Sequence, residues 1–355
     1  MTDQNKQEVR KGEELPVRAL QQFLYRNDLI SVRDTPLSIK QYTHGYSNLT
    51  YRIKAENQTY VLRRPPFGAI KRGHDMAREY KVQKAIKTQF SKVARMYTYS
   101  EDKEVMGAPF YLMECIDGII LNYPRAKKMD LQPTAFGAIA ETWLDTFIEL
   151  HKIDYKAAGL EPLGRPEGYV TRQVTNWGKQ YLKAATDKVP EAEMVMRWME
   201  EKQPKEYRHC LIHNDYKYDN VVFKDDQWKE IYAVLDWEMA TLGDPLMDLG
   251  TSLGYWTVHS DHDMIKQGIP SPTIFDGNPK RSEIVEHYAQ KSGIPIDHLV
   301  FYYVYGLFKI AVIAQQIYYR FKHGYTTDPR FAELNKAAAL CCKLALRAIQ
   351  TQKID

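Results

Sequence analysis

Eight consecutive residues, His213-Asn214-Asp215-Tyr216-Lys217-Tyr218-Asp219-Asn220, follow a short β-prone run, Cys210-Leu211-Ile212. A second such run, Tyr232-Ala233-Val234-Leu235, ends in Asp236-Trp237-Glu238. Polar clusters at strand ends are common places for sites. Their residue types suit phosphoryl transfer, which needs a carboxylate beside the attacking hydroxyl and hard oxygen ligands that hold magnesium against nucleotide phosphates. Asp215 would orient or deprotonate the acceptor hydroxyl, and Lys217 would reach the transferring phosphate as a point charge. Asn220 through its amide oxygen and Asp236 through its carboxylate are the expected metal ligands. The plain alternative is an N-capped turn followed by an unrelated acidic strand end.

The pattern H-x-D-x-x-x-x-N followed by a strand ending in Asp resembles the protein-kinase-like fold, especially the aminoglycoside and choline phosphotransferases. The resemblance spans most of the chain and implies an α+β, two-lobed fold, with a β-rich N-lobe over a mainly helical C-lobe. It also implies ATP and Mg2+ as cofactors. The loop Gln41 to Thr50 would cover the phosphates through Gly45, Ser47 and Asn48, although one glycine stands where protein kinases have three. In the strand Tyr60-Val61-Leu62-Arg63, Val61 would floor the adenine, and Arg63 would occupy the usual lysine position. Glu79 would be its carboxylate partner, the alternative being a solvated helical glutamate. Backbone groups near Glu114 and Ile116 would meet the adenine edge at a hinge.

Three further segments resemble the phosphotransferase subgroup that also occurs fused to acyl-CoA dehydrogenases: Val61 to Pro66, Gly164 to Tyr169 leading to Arg172, Gln173 and Trp177, and Asp236 to Pro245. That resemblance implies a hydroxyacyl-CoA, notably 4-hydroxyacyl-CoA, as the acceptor. An aminoglycoside, a choline-like alcohol or a sugar hydroxyl are the other small-molecule acceptors, and a pseudokinase-type module that binds nucleotide or acyl-CoA without turnover is the rival. Arg165, Arg172, Gln173 and Trp177 are open between a substrate wall and C-lobe packing. Arg165, Arg172, Lys179 and Lys183 lean toward an anionic acceptor. Only seven residues separate Asp236 from Asp244, which leaves no room for the long activation segment of a protein kinase. Gly243-Asp244-Pro245 and Asp248 read as a turn and helix cap supporting the catalytic loop. His151 and His213 read as supporting histidines.

The elements that must position these groups follow from periodicity. An apolar stripe predicts a lead-in helix over 16–29, and two β-rich runs, Thr50 to Lys54 and Thr59 to Leu62, read as a hairpin. A helix is expected from Asp75 to Thr88, with strands around Val93 to Tyr99 and Phe110 to Cys115. Spacing near 3.6 then predicts helices over 136–151, 171–185, 192–201, 284–292, 299–322 and 331–350. The division is 1–113 for the nucleotide lobe, 114–118 for the hinge and 119–355 for the catalytic lobe. Tyr302, Tyr303, Tyr305, Tyr318 and Tyr319 read as core packing by default.

Composition narrows the class. With 49 Lys plus Arg against 45 Asp plus Glu, the net charge is +4, which gives no basic footprint for nucleic acid. The 44% hydrophobic share is that of a folded protein with a sizeable core. Four cysteines without C-x-x-C spacing and no apolar leader favour a reducing, cytoplasmic setting. Leu299 to Ala314 is strongly apolar but carries Lys309, and it reads as a buried core helix rather than a membrane span. The partner is thus a small-molecule hydroxyl acceptor, and oligomeric state is not legible in the sequence.

Overall fold

A computed structural model describes residues 6–42, 48–66 and 75–355. The first six strands are β1 (Lys6–Gln7), β2 (Leu37–Tyr42), β3 (Leu49–Ala55), β4 (Gln58–Arg64), β5 (Met96–Ser100) and β6 (Phe110–Glu114). They form one antiparallel sheet in the order β1-β2-β3-β4-β6-β5. Alternation drives β3, whose Tyr51, Ile53 and Ala55 are buried while Lys54 is exposed. Register then sets Arg63 in the middle of the sheet, between Thr50 on β3 and Tyr111 on β6. Three helices accompany the sheet: α1 (Val17–Arg26), α2 (Met76–Ile86) and α3 (Lys103–Met106). Asp75 caps α2 by accepting from the Arg78 N–H.

The hairpin, the lead-in helix and the helix after residue 75 stand as expected, but β2 and its short partner β1 add to the sheet beyond the two runs read from sequence. Gln41 explains the miss. It is a buried polar residue that interrupts the alternation of β2, and it is satisfied by the Arg10 N–H and by Glu13 Oε2.

The chain crosses out of the sheet at Gly118. A Cβ there would lie 2.4 Å from the Phe223 carbonyl oxygen, so only glycine permits this approach. Beyond it come α4 (Tyr123–Met129), α5 (Pro133–His151), α6 (Tyr169–Ala184) and α7 (Pro190–Lys202). Four short strands follow, β7 (Cys210–Ile212), β8 (Val221–Phe223), β9 (Ile231–Val234) and β10 (Thr241–Gly243). They pair as two antiparallel ribbons, β7 with β10 and β8 with β9. The last helices are α8 (Pro245–Gly254), α9 (Asp263–Gly268), α10 (Arg281–Ser292), α11 (Leu299–Lys322) and α12 (Leu334–Thr351). The segment after Asp244, expected as a turn and cap, is a full helix: Asp244 caps it, and Asp248 lies inside it.

By length and composition α11 could cross a membrane, yet its middle, Phe301 to Val312, is buried between other elements of the protein. Its contact with α8 rests on glycines. A Cβ on Gly306 would lie 1.9 Å from the Gly250 carbonyl oxygen, and one on Gly250 would lie 2.1 Å from that of Tyr302. Backbone cannot yield there as a flexible side chain would. Gly306→Ala should therefore destabilise the fold by about 2–3 kcal/mol through overpacking, outweighing the ~1 kcal/mol of helix propensity that alanine adds. A thermal melt checks this, and an unchanged midpoint would show slack between the helices.

Candidate active site

The loop 213–220 leaves β7 and enters β8, while Asp236 follows β9, so the two ribbons carry the catalytic-type residues side by side. Asn214 and Asp236 both take left-handed backbone conformations, φ 68° and 65°. Asn and Asp tolerate this better than bulkier residues. Asp215 is the centre of the loop. Lys217 Nζ donates to both of its carboxylate oxygens at 3.0 Å, and Asn220 Nδ2 donates to its Oδ2 and to its backbone carbonyl, each at 2.8 Å. Burial works against the Lys217 charge, but the Asp215 carboxylate outweighs it and holds the ammonium above its ordinary range. Lys217 Nζ also sits 4.7 Å from the Tyr255 ring centroid.

Arg63 reaches this group from the sheet. Its Nη1 donates to Glu79 Oε1 at 2.6 Å and its Nη2 to Asp236 Oδ1 at 2.5 Å, with Glu238 Oε2 3.7 Å away. One guanidinium fork thus joins α2 to the segment after β9. Burial raises the pKa of Glu79 despite Arg63, whereas at Asp236 the same guanidinium overcomes burial and lowers it. Asn48 Nδ2 donates to Glu238 Oε2 at 2.9 Å.

The loop is held from beneath by Asp248 of α8. Its Oδ2 accepts the His213 N–H at 2.6 Å, and its Oδ1 the Asn214 N–H at 2.7 Å. His151 Nε2 lies 3.2 Å from the same carboxylate, and its Nδ1 lies 2.7 Å from the Tyr288 hydroxyl. Burial opposes the Asp248 charge, yet these partners keep its carboxyl below the usual range. His213 Nε2 donates to the Leu235 carbonyl at 2.8 Å, and burial lowers its pKa, so it is a neutral strut between the ribbons. Both histidines support the loop, as expected.

Asp244 behaves oppositely. Burial pushes its carboxyl up to about 7 while its Oδ1 caps α8 by accepting the Leu246 N–H at 2.9 Å. The folded state then binds more protons than the unfolded state between about pH 4 and 7, so this group lowers stability as pH rises through that window. Asp244→Asn keeps a competent cap and should remove that slope. Urea unfolding of the wild type and the variant at pH 5 and pH 7 checks it, and parallel shifts of the two proteins would refute it.

Asp215, Lys217, Asn220, Asp236, Arg63 and Glu79, all singled out in the sequence, come together here. Val61 is buried in an apolar cluster with Met113, Ile116, Val222 and Ala233. Gly45 and Ser47 lie outside the described residues. The Glu114 N–H donates to the Arg95 carbonyl at 2.8 Å, and its carboxylate accepts the Arg95 N–H at 3.0 Å, so that amide is spent on the residue before β5, and an adenine edge expected near Glu114 and Ile116 would meet other backbone groups of 114–116. Arg172 is likewise committed to the backbone carbonyls of Arg165 and Glu167, which fits packing rather than a substrate wall. Asp248 supports the loop, as expected, and Glu238, given no site role in the sequence, meets Asn48 and lies near Arg63.

A magnesium ion fits the donor set. Asn220 spends its Nδ2 on Asp215, which leaves the amide oxygen as an acceptor, and Asp236 spends Oδ1 on Arg63, which leaves Oδ2. Among the described residues no cluster of three or more His, Cys, Asp or Glu forms a self-contained metal cage. Magnesium typically needs only one or two protein carboxylates beside phosphate oxygens.

A β-sheet lobe with an Arg–Glu pair, set against a helical lobe with this loop, defines a protein-kinase-like phosphotransferase. The model of the phosphotransferase enzyme family matches residues 38–269, and the chain belongs to that family. Among curated relatives, acyl-CoA dehydrogenase family member 10 of Mus musculus is 33% identical over 96% of this chain and 32% of its own length. Acyl-CoA dehydrogenase family member 11 of Homo sapiens is 35% identical over 82% of this chain and 37% of its own length. The chain thus spans about a third of the length of these relatives. A crystal structure of an aminoglycoside phosphotransferase-type protein from Ralstonia eutropha superposes with a TM-score of 0.81 at 29% identity, covering 95% of this chain and 99% of that one. A thermostable mutant of aminoglycoside phosphotransferase APH(4)-Ia, in a ternary complex with AMP-PNP and hygromycin B, gives 0.58 at 16% identity, covering 93% and 98%, and shares the fold.

Proposed function

We propose that the protein transfers the γ-phosphate of ATP to a hydroxyl of a small molecule, with a hydroxyacyl-CoA, in particular a 4-hydroxyacyl-CoA, as the acceptor. The observation that carries this is Asp215, with both carboxylate oxygens aligned by Lys217 and Asn220, set beside Asp236 and the Arg63–Glu79 pair. Asp215 accepts a hydrogen bond from the acceptor hydroxyl and aims its oxygen in line. Lys217 lends positive charge to the oxygens that gain negative charge. Asn220 and Asp236 hold magnesium, which when bound neutralises phosphate charge. The CoA ester is supported by likeness to relatives named as acyl-CoA dehydrogenase family members and by exposed Lys179 and Lys183 on α6.

One observation favours a non-catalytic binding module instead: arginine stands at position 63, where kinases have lysine, and its guanidinium is already engaged by Glu79 and by Asp236 Oδ1. The test separates the two. The purified chain is incubated with Mg-ATP and a panel of 4-hydroxyacyl-CoA, choline, an aminoglycoside and a sugar, while ADP release and product mass are recorded. A phosphate added to the CoA ester alone is the expected result. A gain of AMP would mean nucleotide transfer, and bound Mg-ATP with no turnover across the panel would favour the binding module.

A further inference from the structure

Lys309 lies in the apolar middle of α11, 95 residues beyond Asn214 of the catalytic loop, and is 2% exposed. Its Nζ donates to the backbone carbonyl of Asn214 at 2.7 Å and lies 3.3 Å from Asn214 Oδ1. The Trp177 ring centroid of α6 is 5.8 Å away. A buried ammonium costs several kcal/mol in desolvation, so it is poor value as a source of stability. Burial brings its pKa down to about 8 even though Asp248 and Asp215 pull the other way.

The atom that it grips matters. The Asn214 carbonyl shares a peptide plane with the N–H of Asp215, and that N–H donates to His213 Nδ1 at 3.3 Å. Asp248 fixes the preceding peptide through the Asn214 N–H. Asn214 Nδ2 donates to the Met239 carbonyl at 3.1 Å, which ties the same residue to the segment after Asp236. The glycine contact of Gly306 with Gly250 brings α11 close enough for a lysine one turn further on to reach the loop.

We infer that Lys309 is a positioning residue, which locks the Asn214–Asp215 peptide plane and so sets the direction in which the Asp215 carboxylate meets the acceptor hydroxyl. The inference rests on the phosphotransferase reading for its effect on rate, but not for its effect on the loop. A misplacement on the order of 1 Å costs about 100-fold in rate.

The test compares wild type with Lys309→Met, which keeps the length of the stem and removes the charge, and with Lys309→Arg, which restores a cationic donor. Lys309→Met should melt at or above the wild-type temperature, because a buried charge has gone. Its kcat should fall about 100-fold with KM for ATP unchanged, and hydrogen exchange should quicken across residues 213–220 while α8 and α11 stay protected. Lys309→Arg should recover part of the kcat. A kcat within twofold of wild type overturns the inference, and so does a Lys309→Met protein that fails to fold or loosens throughout α8 and α11. If wild type itself shows no acceptor-dependent turnover, the phosphotransferase reading fails and exchange decides Lys309 alone: faster exchange confined to 213–220 upholds the clamp, and unchanged exchange refutes it.

Discussion

Asp215→Ala should lower kcat by about 10³-fold, within the usual range for loss of a positioned general base, while the affinity for Mg-ATP stays within twofold of wild type. The carboxylate binds no part of the nucleotide in this mechanism; it serves the acceptor. Its removal leaves Lys217 Nζ and one Asn220 amide hydrogen without their shared partner, so the loop itself could relax. Asp215→Asn guards against that outcome, because it keeps the shape and one acceptor oxygen but cannot take a proton. Equal losses in both variants, with calorimetry showing intact Mg-ATP binding, would assign the effect to the lost carboxylate. Normal turnover by either variant would sink the assignment of Asp215.

Asp236→Ala should act earlier, on metal-dependent nucleotide binding. In the wild type, ATP affinity should rise at least tenfold when magnesium is added; in the variant, magnesium should change it little. The second consequence has the opposite sign. Arg63 loses the partner that holds its Nη2 at 2.5 Å, so the guanidinium is freed toward phosphates, and binding of metal-free ATP should hold steady or tighten. A structural defect would weaken both forms alike. Titrating ATP with and without magnesium therefore distinguishes a metal ligand from a mere brace for Arg63, and a variant with unchanged magnesium dependence would remove Asp236 from the site.

Much of this centre was legible because it is local. The spacing from His213 to Asn220 closes within a single loop, and Asp236 ends a strand whose apolar run stands out, so residue types alone suggested one chemistry. The Arg63–Glu79 pair was legible only through resemblance, since a strand and a helix 16 residues apart need a known fold to be matched. The support beneath was legible as a role for Asp248 and the two histidines, but its partners were not. Asp248 meets His213 and Asn214 across about 35 residues, and Lys309 meets Asn214 across 95, distances at which no periodicity links one residue to another. Lys309 was conspicuous as a charge in an apolar helix, yet only packing against α8 shows what it touches. At Glu114 the limit is related: sequence marks the end of a strand but not that its amide goes to Arg95.

Arginine at residue 63 also changes how this nucleotide site would answer to covalent reagents. The lysine at the corresponding strand position of protein kinases is an amine that electrophiles can acylate once deprotonated, but a guanidinium held between Glu79 and Asp236 stays protonated at any working pH. Amine-directed labels built to capture that lysine would find no nucleophile at residue 63. Lys217 offers little substitute, because the same Asp215 that it orients keeps it as an ammonium ion. A label aimed at the strand lysine of kinases would therefore miss its target here, whatever the affinity of the chain for ATP.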